Sequence, residues 1–347
     1  MLSRNKTRKN LAVKVLKNKA ESVKRQLLAE KALISNLKPT RSEEFVFFPV
    51  SKRVTLSEPV EFVQKNFFEE TKTKTLKELL ASKLSKKELE KATRSFDLIG
   101  DIAIIQIPRE LNKKKKTIAE TLLKSNKRIA TVLIKKGGRK GVYRVQQLAW
   151  AAGKRKTTTI HKEHGCYYKV NLSKHYFSPR LATERARIAA QVKPNERVLV
   201  LFAGVGPYAI LIAKRVPNAQ ITAVELNPHA ARLLKENIRL NNLTNVQPIH
   251  DDARHALKKI SKQFNRIIMP LPKNASQFLP LALKNAAKGC TIHYYTFTQT
   301  KKPFKKVIQN LRKESEKQGV KIRVLGKRIV VESAPGEVEV VIDFMIV

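Results

Sequence analysis

The sequence predicts an α/β fold, a doubly wound parallel sheet in the C-terminal half preceded by two smaller α+β domains. Three observations predict it. From about Val170 onward, apolar strands alternate with helical segments, the order that builds a parallel sheet covered by helices. A glycine turn, Phe202-Ala203-Gly204-Val205-Gly206-Pro207, joins the first of these strands to the first helix. The chain of 347 residues, 42% hydrophobic, is too long for one ordinary core and apolar enough for two or three.

Residues 1–66 read as a small module. Leu11, Val15, Leu16 and then Val23, Leu27, Leu28 stand at helical spacing up to about Leu37, and an extended stretch follows at Phe45-Val46-Phe47-Phe48-Pro49-Val50. Residues 67–170 read as a middle domain. Its clearest strand, 102–107, is stopped by Pro108, whose ring removes a ladder donor. The run Lys113 to Lys116 reads as a solvated loop, and strand 130–134 ends in a mobile basic turn from Lys135 to Lys140. Residues 171–347 carry the doubly wound sheet, with strands at 197–201, 220–224, 246–249 and 266–269 and helices at 207–215 and 228–240. Apolar strands at 328–332 and 338–346 close the chain as a hairpin, and no internal repeat occurs.

Charge narrows the function. The chain has 71 Lys+Arg against 28 Asp+Glu, a net of +43. Such an excess repels itself unless a polyanion is near, which points to nucleic acid or an anionic membrane. No apolar run approaches the roughly 20 residues of a spanning helix, and the charged N-terminus lacks a signal-peptide core. Cys166 and Cys290 fit neither a disulfide framework nor a metal spacing. Reduced, packed cysteines place the chain in the cytoplasm.

The glycine turn is the first chemical signal. Glycines let the backbone bend tightly and approach a ligand that a side chain would exclude. Gly-x-Gly alone is weak, but Glu225 ends the next strand 21 residues after Gly204, where a carboxylate can hold both hydroxyls of a ribose. Asp252 follows the third strand, where an acceptor can meet an adenine amino group. Ala209 rather than a glycine stands at the third position of a Gly-x-Gly-x-x-Gly turn, and S-adenosylmethionine is preferred to NAD. Phe202, Gly204, Gly206, Pro207, Glu225, Leu226, Asn227, Asp252, Ala253 and Arg180 are the cofactor-binding candidates. No metal is expected, because His161 and His164 have no further ligands at suitable spacing.

Tyr176-Phe177-Ser178-Pro179-Arg180-Leu181-Ala182-Thr183-Glu184-Arg185, with Phe-Ala-Gly-Val-Gly-Pro, Glu-Leu-Asn-Pro and Ile292-His293-Tyr294-Tyr295, closely resembles the archaeal and eukaryotic tRNA (guanine-N1)-methyltransferases acting at position 37. The resemblance runs from about Phe45 to the C-terminus. It implies a class I S-adenosylmethionine-dependent methyltransferase sheet, an N-terminal domain that senses the tRNA elbow, a middle domain, and the anticodon loop as target. A monomer is expected. Guanine N1 carries a proton that must leave, so a general base is needed, and charge builds on O6, so a cation should face it. Glu184 matches the family's proposed base and Arg144 the arginine proposed to hold O6. The alternative for Glu184 is a helix-start carboxylate paired with Arg180; for Arg144 it is a phosphate contact or a surface residue. Tyr176, Pro270 and Pro272 are assigned to the substrate pocket, and His293, Tyr294 and Tyr295 to strand and core.

Two departures stand out. The family's acidic residue two places before Phe202 is Val200 here, and its Asn-Leu-Pro motif reads Pro270-Leu271-Pro272. Proline has no side-chain donor or acceptor, so the site is either degenerate or reshaped. The sequence is similar here to a branch that also methylates the tricyclic wyosine intermediate 4-demethylwyosine at C7, and that branch is preferred. Two other readings remain: the related aminocarboxypropyl transferase, disfavoured by Pro179-Arg180-Leu181, and a non-catalytic tRNA-binding protein on a decayed methyltransferase fold.

Overall fold

A computed structural model describes residues 7–69, 75–92, 95–143, 145–260, 263–334 and 336–347. The chain forms two compact units, Met1–Thr75 and Leu76–Val347. In the first, antiparallel strands β1 (Thr7–Leu16), β2 (Thr40–Arg41), β3 (Phe45–Pro49) and β4 (Glu61–Phe68) lie in the order β2-β3-β1-β4, with helix α1 (Ala20–Ala29) between β1 and β2. The helix expected over Leu11–Leu16 is therefore a strand. Leu11 and Val15 are four apart, which is one helical turn and also two strand repeats, so the spacing fits either element. Leu11, Val13 and Val15 pack on Val23 and Leu27 of α1, while Leu16 is exposed. The expected boundary at 66 falls inside β4.

The second unit opens with short helices α2 (Leu76–Leu80) and α3 (Lys86–Lys91) and a four-stranded sheet in sequential order: β5 (Phe96–Ile99), β6 (Ile102–Ile105), β7 (Thr131–Lys140) and β8 (Val145–Gly153). A 3₁₀ turn (Arg109–Lys114) leads into α4 (Lys115–Ser125), which crosses from β6 to its parallel neighbour β7. The lysine run at 113–116 thus starts a helix rather than a loop; Ile118, Ala119 and Leu122 bury the opposite face and hold it there. The expected basic turn at 135–140 is a continuation of β7, paired with β8 across a register shift between Lys135 and Arg139. Hairpin β9 (Thr158–Glu163) and β10 (Cys166–Asn171) follows.

After a 3₁₀ turn (Pro179–Leu181) and α5 (Ala182–Ala189) comes the large sheet. Its strands are β11 (Arg197–Leu201), β12 (Gln220–Glu225), β13 (Val246–His250), β14 (Phe264–Met269), β15 (Ala286–Gln299), β16 (Ile322–Ala334) and β17 (Glu337–Ile346), in the order β13-β12-β11-β14-β15-β17-β16. The first five are parallel, and β17 runs antiparallel to β15 and β16. Helices α6 (Pro207–Arg215), α7 (Pro228–Leu240), α8 (Ala253–Lys259), α9 (Leu279–Lys284) and α10 (Lys305–Lys317) connect them. The strand order reverses between β11 and β14, and a crevice opens there at the carboxyl ends. This is the class I methyltransferase arrangement.

The expected division at 170 is not a seam between cores. Ile99, Ile102 and Leu133 of the four-stranded sheet share one buried cluster with Cys166, Tyr168 and Val170 of the hairpin and Val198 and Val200 of β11. Two asparagines one turn apart, Asn237 on α7 and Asn241 capping its C-terminus, help pin the hairpin. Asn241 exchanges hydrogen bonds with Tyr167 N (2.8 Å) and O (2.7 Å), and Asn237 with Lys169 N (2.7 Å) and O (3.1 Å). Each satisfies backbone groups that β10 would otherwise bury unpaired. No helix among the described residues is long and apolar enough to cross a membrane.

Candidate active site

The crevice is built by the turn after β11. Phe202 (φ 54°), Gly204 (φ 58°) and Gly206 (φ 92°) all take left-handed backbone, which costs a non-glycine residue roughly 1–2 kcal/mol. The two glycines serve different ends. A Cβ on Gly206 would lie 2.5 Å from Leu234 Cδ1 and 2.9 Å from Ile210 Cδ1, so Gly206 lets α6 pack close to α7. A Cβ on Gly204 would meet nothing within 4 Å. Gly204 is the place where backbone lies open to a ligand.

Glu225 closes the turn. Its Oε2 accepts the Gly204 N–H and its Oε1 the Asn227 N–H, both at 2.7 Å. Burial pushes its carboxyl above the usual carboxylate range, against the lowering effect of the N–H groups of Asn227, Gly204 and Leu226. Each oxygen has acceptor capacity beyond its one backbone bond, so the pair fits the two hydroxyls of a ribose. Leu226, 38% exposed, stands next to it as an apolar surface. Asn227 is buried in support: its Oδ1 caps α7 at His229 N (3.0 Å) and its Nδ2 donates to Lys174 O (2.8 Å). Asp252 caps α8 through Arg254 N (2.7 Å), with Ala253 buried behind it. Pro207 is the first residue of α6, and Phe202 meets Phe278 edge-on at 4.7 Å. Arg180 forms an ion pair with Asp97 of β5 at 2.7 Å. Burial opposes ionisation of Asp97, but Arg180 and Lys135 together hold its carboxyl below the usual range.

Glu184 is 5% exposed, on the first turn of α5. It does not pair with Arg180. Its Oε1 accepts from Tyr295 OH (2.7 Å) and Arg187 Nη2 (2.7 Å), and its Oε2 from Arg187 Nε (2.9 Å). Arg328 Nη1 of β16 stands 3.8 Å from Oε2. Arg187 also donates to Asp343 Oδ2 (2.5 Å) of β17, and Asp343 Oδ1 meets His293 Nδ1 at 2.6 Å. Arg266 Nη1, an obligate donor, reaches His293 Nε2 at 2.8 Å, which makes Nε2 the acceptor and places the ring proton on Nδ1. Burial, with Arg266 beside it, holds the His293 imidazole neutral by lowering its pKa. Burial works against ionised Asp343, but the bonds from His293 and Arg187 hold its carboxyl down at about 2. The hydroxyl chain continues from Tyr208 OH to Tyr295 OH at 3.2 Å. Tyr208 is the second residue of α6, so the carboxylate and the glycine turn share one backing.

Sequence reasoning missed Arg187, Asp343 and Arg328, and it assigned Tyr295 to core alone. One signal was available: Arg187 lies three residues after Glu184, on the same helical face. Tyr295 and His293 alternate along β15, which puts two polar side chains on one buried face.

Arg144 lies outside the described residues. Tyr176 is partly exposed ahead of Pro179, and Pro270 is half-buried where β14 ends, followed by buried Pro272. Val200 is fully buried between Ala223 and Ile268 and offers no polar contact. His161 Nδ1 accepts from Gly100 N (3.2 Å), and His164 Nε2 lies 3.0 Å from Ala182 O. Among the described residues no group of three or more His, Cys, Asp or Glu could hold a metal ion.

Sheet order, glycine turn and ribose-type carboxylate define a class I methyltransferase. The TRM5/TYW2 methyltransferase domain matches residues 159–324, the TYW2 N-terminal domain residues 76–157, and the tRNA methyltransferase 5 N-terminal domain residues 12–57. The tRNA (guanine(37)-N(1))-methyltransferase Trm5b of Pyrococcus abyssi is 38% identical, covering 97% of this chain and 99% of its own. Its crystal structure superimposes with a TM-score of 0.72 over the same shares. The solved complex of aTrm5 with tRNALeu is 36% identical, with a TM-score of 0.70 over 97% of this chain and all of the other. The chain belongs to the TRM5/TYW2 methyltransferase family. More distant relatives divide by reaction. The tRNA (guanine(37)-N(1))/4-demethylwyosine(37)-methyltransferase Taw22 of Nanoarchaeum equitans is 33% identical over 61% of this chain and 87% of its own. A tRNA(Phe) (4-demethylwyosine(37)-C(7)) aminocarboxypropyltransferase of Methanocaldococcus jannaschii is 31% identical over 72% and 96%.

Proposed function

We propose that this chain transfers a methyl group from S-adenosylmethionine to N1 of guanosine 37 in tRNA, with Glu184 as general base. The observation that carries the reading is the buried Glu184 carboxylate, joined to the glycine-turn helix through Tyr295 and Tyr208. A buried carboxylate linked to the glycine turn is suited to take a proton from a base held there. Gly204 and Glu225 would hold the adenosyl ribose, with Leu226, Asp252 and Ala253 at the adenine and Phe202, Gly206 and Pro207 shaping the turn. When bound, the cofactor would supply a methyl carbon activated by a positive sulfur, which would keep the electron pair of the C–S bond as a neutral thioether. Guanine N1 keeps its in-plane electron pair in an N–H bond, so Glu184 takes that proton as the pair forms the new N–C bond. Arg144 would face O6, where negative charge develops. Tyr176, Pro270 and Pro272 would wall the base.

The same pocket accepts a second substrate in this reading. Pro270 places an apolar wall where an asparagine would hydrogen-bond guanine's edge, and this favours 4-demethylwyosine methylation at C7 as an additional activity. The N-terminal unit would contact the tRNA elbow and residues 67–170 would bind RNA, with the anticodon loop as the target. The protein acts as a monomer in the cytoplasm.

The test is nucleoside mass spectrometry of treated tRNA-Phe transcripts, with and without the tricyclic base. 1-Methylguanosine at position 37 is expected. Glu184→Gln should lower turnover by roughly 10²–10⁴ with S-adenosylmethionine affinity nearly intact. An aminocarboxypropyl product, or no cofactor binding at all, would sink the reading. A variant with wild-type turnover would remove Glu184 from the mechanism.

A further inference from the structure

We propose that Tyr295 and Arg187 are positioning residues that leave one lone pair of Glu184, on Oε2, as the proton acceptor; this rests on Glu184 being the base. An ionised carboxylate has about four acceptor sites. On Oε1 both are filled, by Tyr295 OH and Arg187 Nη2, each at 2.7 Å. On Oε2 one is filled, by Arg187 Nε at 2.9 Å. Arg328, at 3.8 Å, is beyond hydrogen-bond distance, so among the described residues the last site on Oε2 is open. The bidentate fork fixes the plane of the carboxylate, and Tyr295 fixes which oxygen is blocked.

Both positioning groups are themselves held. Tyr295 accepts from Tyr208 OH at 3.2 Å, their rings 6.1 Å apart. Arg187 is held from behind by Asp343, and Asp343 by the Nδ1–H of His293. Side chains locked in this way keep a reacting oxygen within the few tenths of an ångström that proton transfer requires. Four elements (α5, α6, β15 and β17) therefore converge on one oxygen.

A purely structural role makes a different forecast. Tyr295→Phe removes a single hydroxyl and leaves the Glu184–Arg187 ion pair intact. If Tyr295 only satisfied a buried carboxylate, the variant would lose stability and keep its rate. Positioning predicts the reverse split: a single-turnover methyl-transfer rate at saturating S-adenosylmethionine reduced about tenfold or more, with half-saturating tRNA and cofactor concentrations within twofold of wild type. Arg187→Lys keeps the charge and loses the fork, so its rate should fall further. Arg187→Ala would strand two buried carboxylates and is uninformative if it fails to fold, which is why lysine is used.

The decisive comparison is the double variant Glu184→Gln/Tyr295→Phe, measured with both single variants on tRNA-Phe transcripts. Positioning through Glu184 predicts that the double variant matches Glu184→Gln, because Tyr295 has nothing left to aim. If the two losses multiply instead, Tyr295 acts independently and the proposal is wrong. A wild-type rate for Tyr295→Phe beside an impaired Glu184→Gln also overturns it, while leaving Glu184 as base. A wild-type rate for Glu184→Gln overturns both.

Discussion

Replacing the two glycines of the turn, one at a time, separates the packing job from the ligand-approach job. At Gly206 an alanine must hold φ near 92°, and its methyl would lie 2.5 Å from Leu234 Cδ1 and 2.9 Å from Ile210 Cδ1, both fully buried. Left-handed backbone costs about 1–2 kcal/mol, and overpacking a filled core about 1–3 kcal/mol. Gly206→Ala should therefore lose roughly 2–5 kcal/mol of unfolding free energy by addition of these two costs. At Gly204, φ is 58° and the new methyl meets no protein atom within 4 Å. Gly204→Ala should lose only the backbone cost, about 1–2 kcal/mol. If the proposed cofactor site is right, its methyl would occupy the open space beside Gly204 through which the cofactor approaches Glu225. Urea unfolding without ligand, paired with calorimetric titration of S-adenosylmethionine, reads both effects. The expected ranking is crossed: Gly206→Ala is the less stable variant, and Gly204→Ala binds at least tenfold more weakly than its stability loss explains. Wild-type affinity in Gly204→Ala would show that the cofactor does not approach this backbone. A larger stability loss at Gly204 than at Gly206 would refute the packing argument.

Two further outcomes follow from other parts of the molecule. Glu163 forms a buried bidentate pair with Arg185 (2.7 and 2.6 Å); burial opposes its ionisation, but His161 and Arg185 outweigh that and hold its carboxyl down at about 2 rather than 4.5. A depressed carboxyl stabilises the fold above its unfolded value, and that contribution disappears as pH falls through the folded one. Wild type should thus lose about 3 kcal/mol more than Glu163→Gln between pH 4.5 and 2 in urea titrations, and equal losses would mean the pair adds nothing. Pro270→Asn should impair C7 methylation of the tricyclic base more than N1 methylation of guanosine, measured on matched tRNA-Phe substrates. Equal losses, or a wild type that never methylates the tricycle, would end the dual-substrate reading.

The large sheet was legible because its signals are local. Helices at 207–215 and 228–240 coincide with Pro207–Arg215 and Pro228–Leu240, since each begins with proline at its first position and carries apolar residues at 3.6 spacing. Glu225 was legible for the same reason, as the last residue of a strand at a fixed distance from a glycine turn. The first strand was misread because positions 11 and 15 satisfy two periods at once. The lysine run at 113–116 was misread because its helix is decided by buried residues further on. The cluster around Glu184 was illegible for a different reason. Asp343 is 156 residues from Arg187, and Tyr295 is 111 from Glu184, so only the sheet order brings them together. Tyr295 also looks like core by composition, and it is core; its hydroxyl does the additional work.

The same buried pairs say where the excess charge lies. Glu163 is matched by Arg185, Glu196 by Arg266, and Glu184 and Asp343 share Arg187. These three guanidiniums and four carboxylates leave one negative charge in excess among them, so the net +43 comes from the rest of the chain. Salt should then act on stability and on tRNA affinity in opposite ways. Screening reaches exposed charges over a Debye length of about 8 Å at physiological ionic strength and leaves buried pairs nearly untouched. Surface cations repel one another, so added salt should hold the melting temperature steady or raise it. Lysines and arginines that contact tRNA phosphates lose affinity instead, with log Kd rising linearly against log salt by about 0.7–0.9 per contact. Filter binding of tRNA and thermal melting, both run from about 0.05 to 0.4 M salt, test this directly. A melting temperature that falls in step with affinity would mean that the internal pairs are open to solvent. A flat binding response would mean that the surface charge does not serve tRNA.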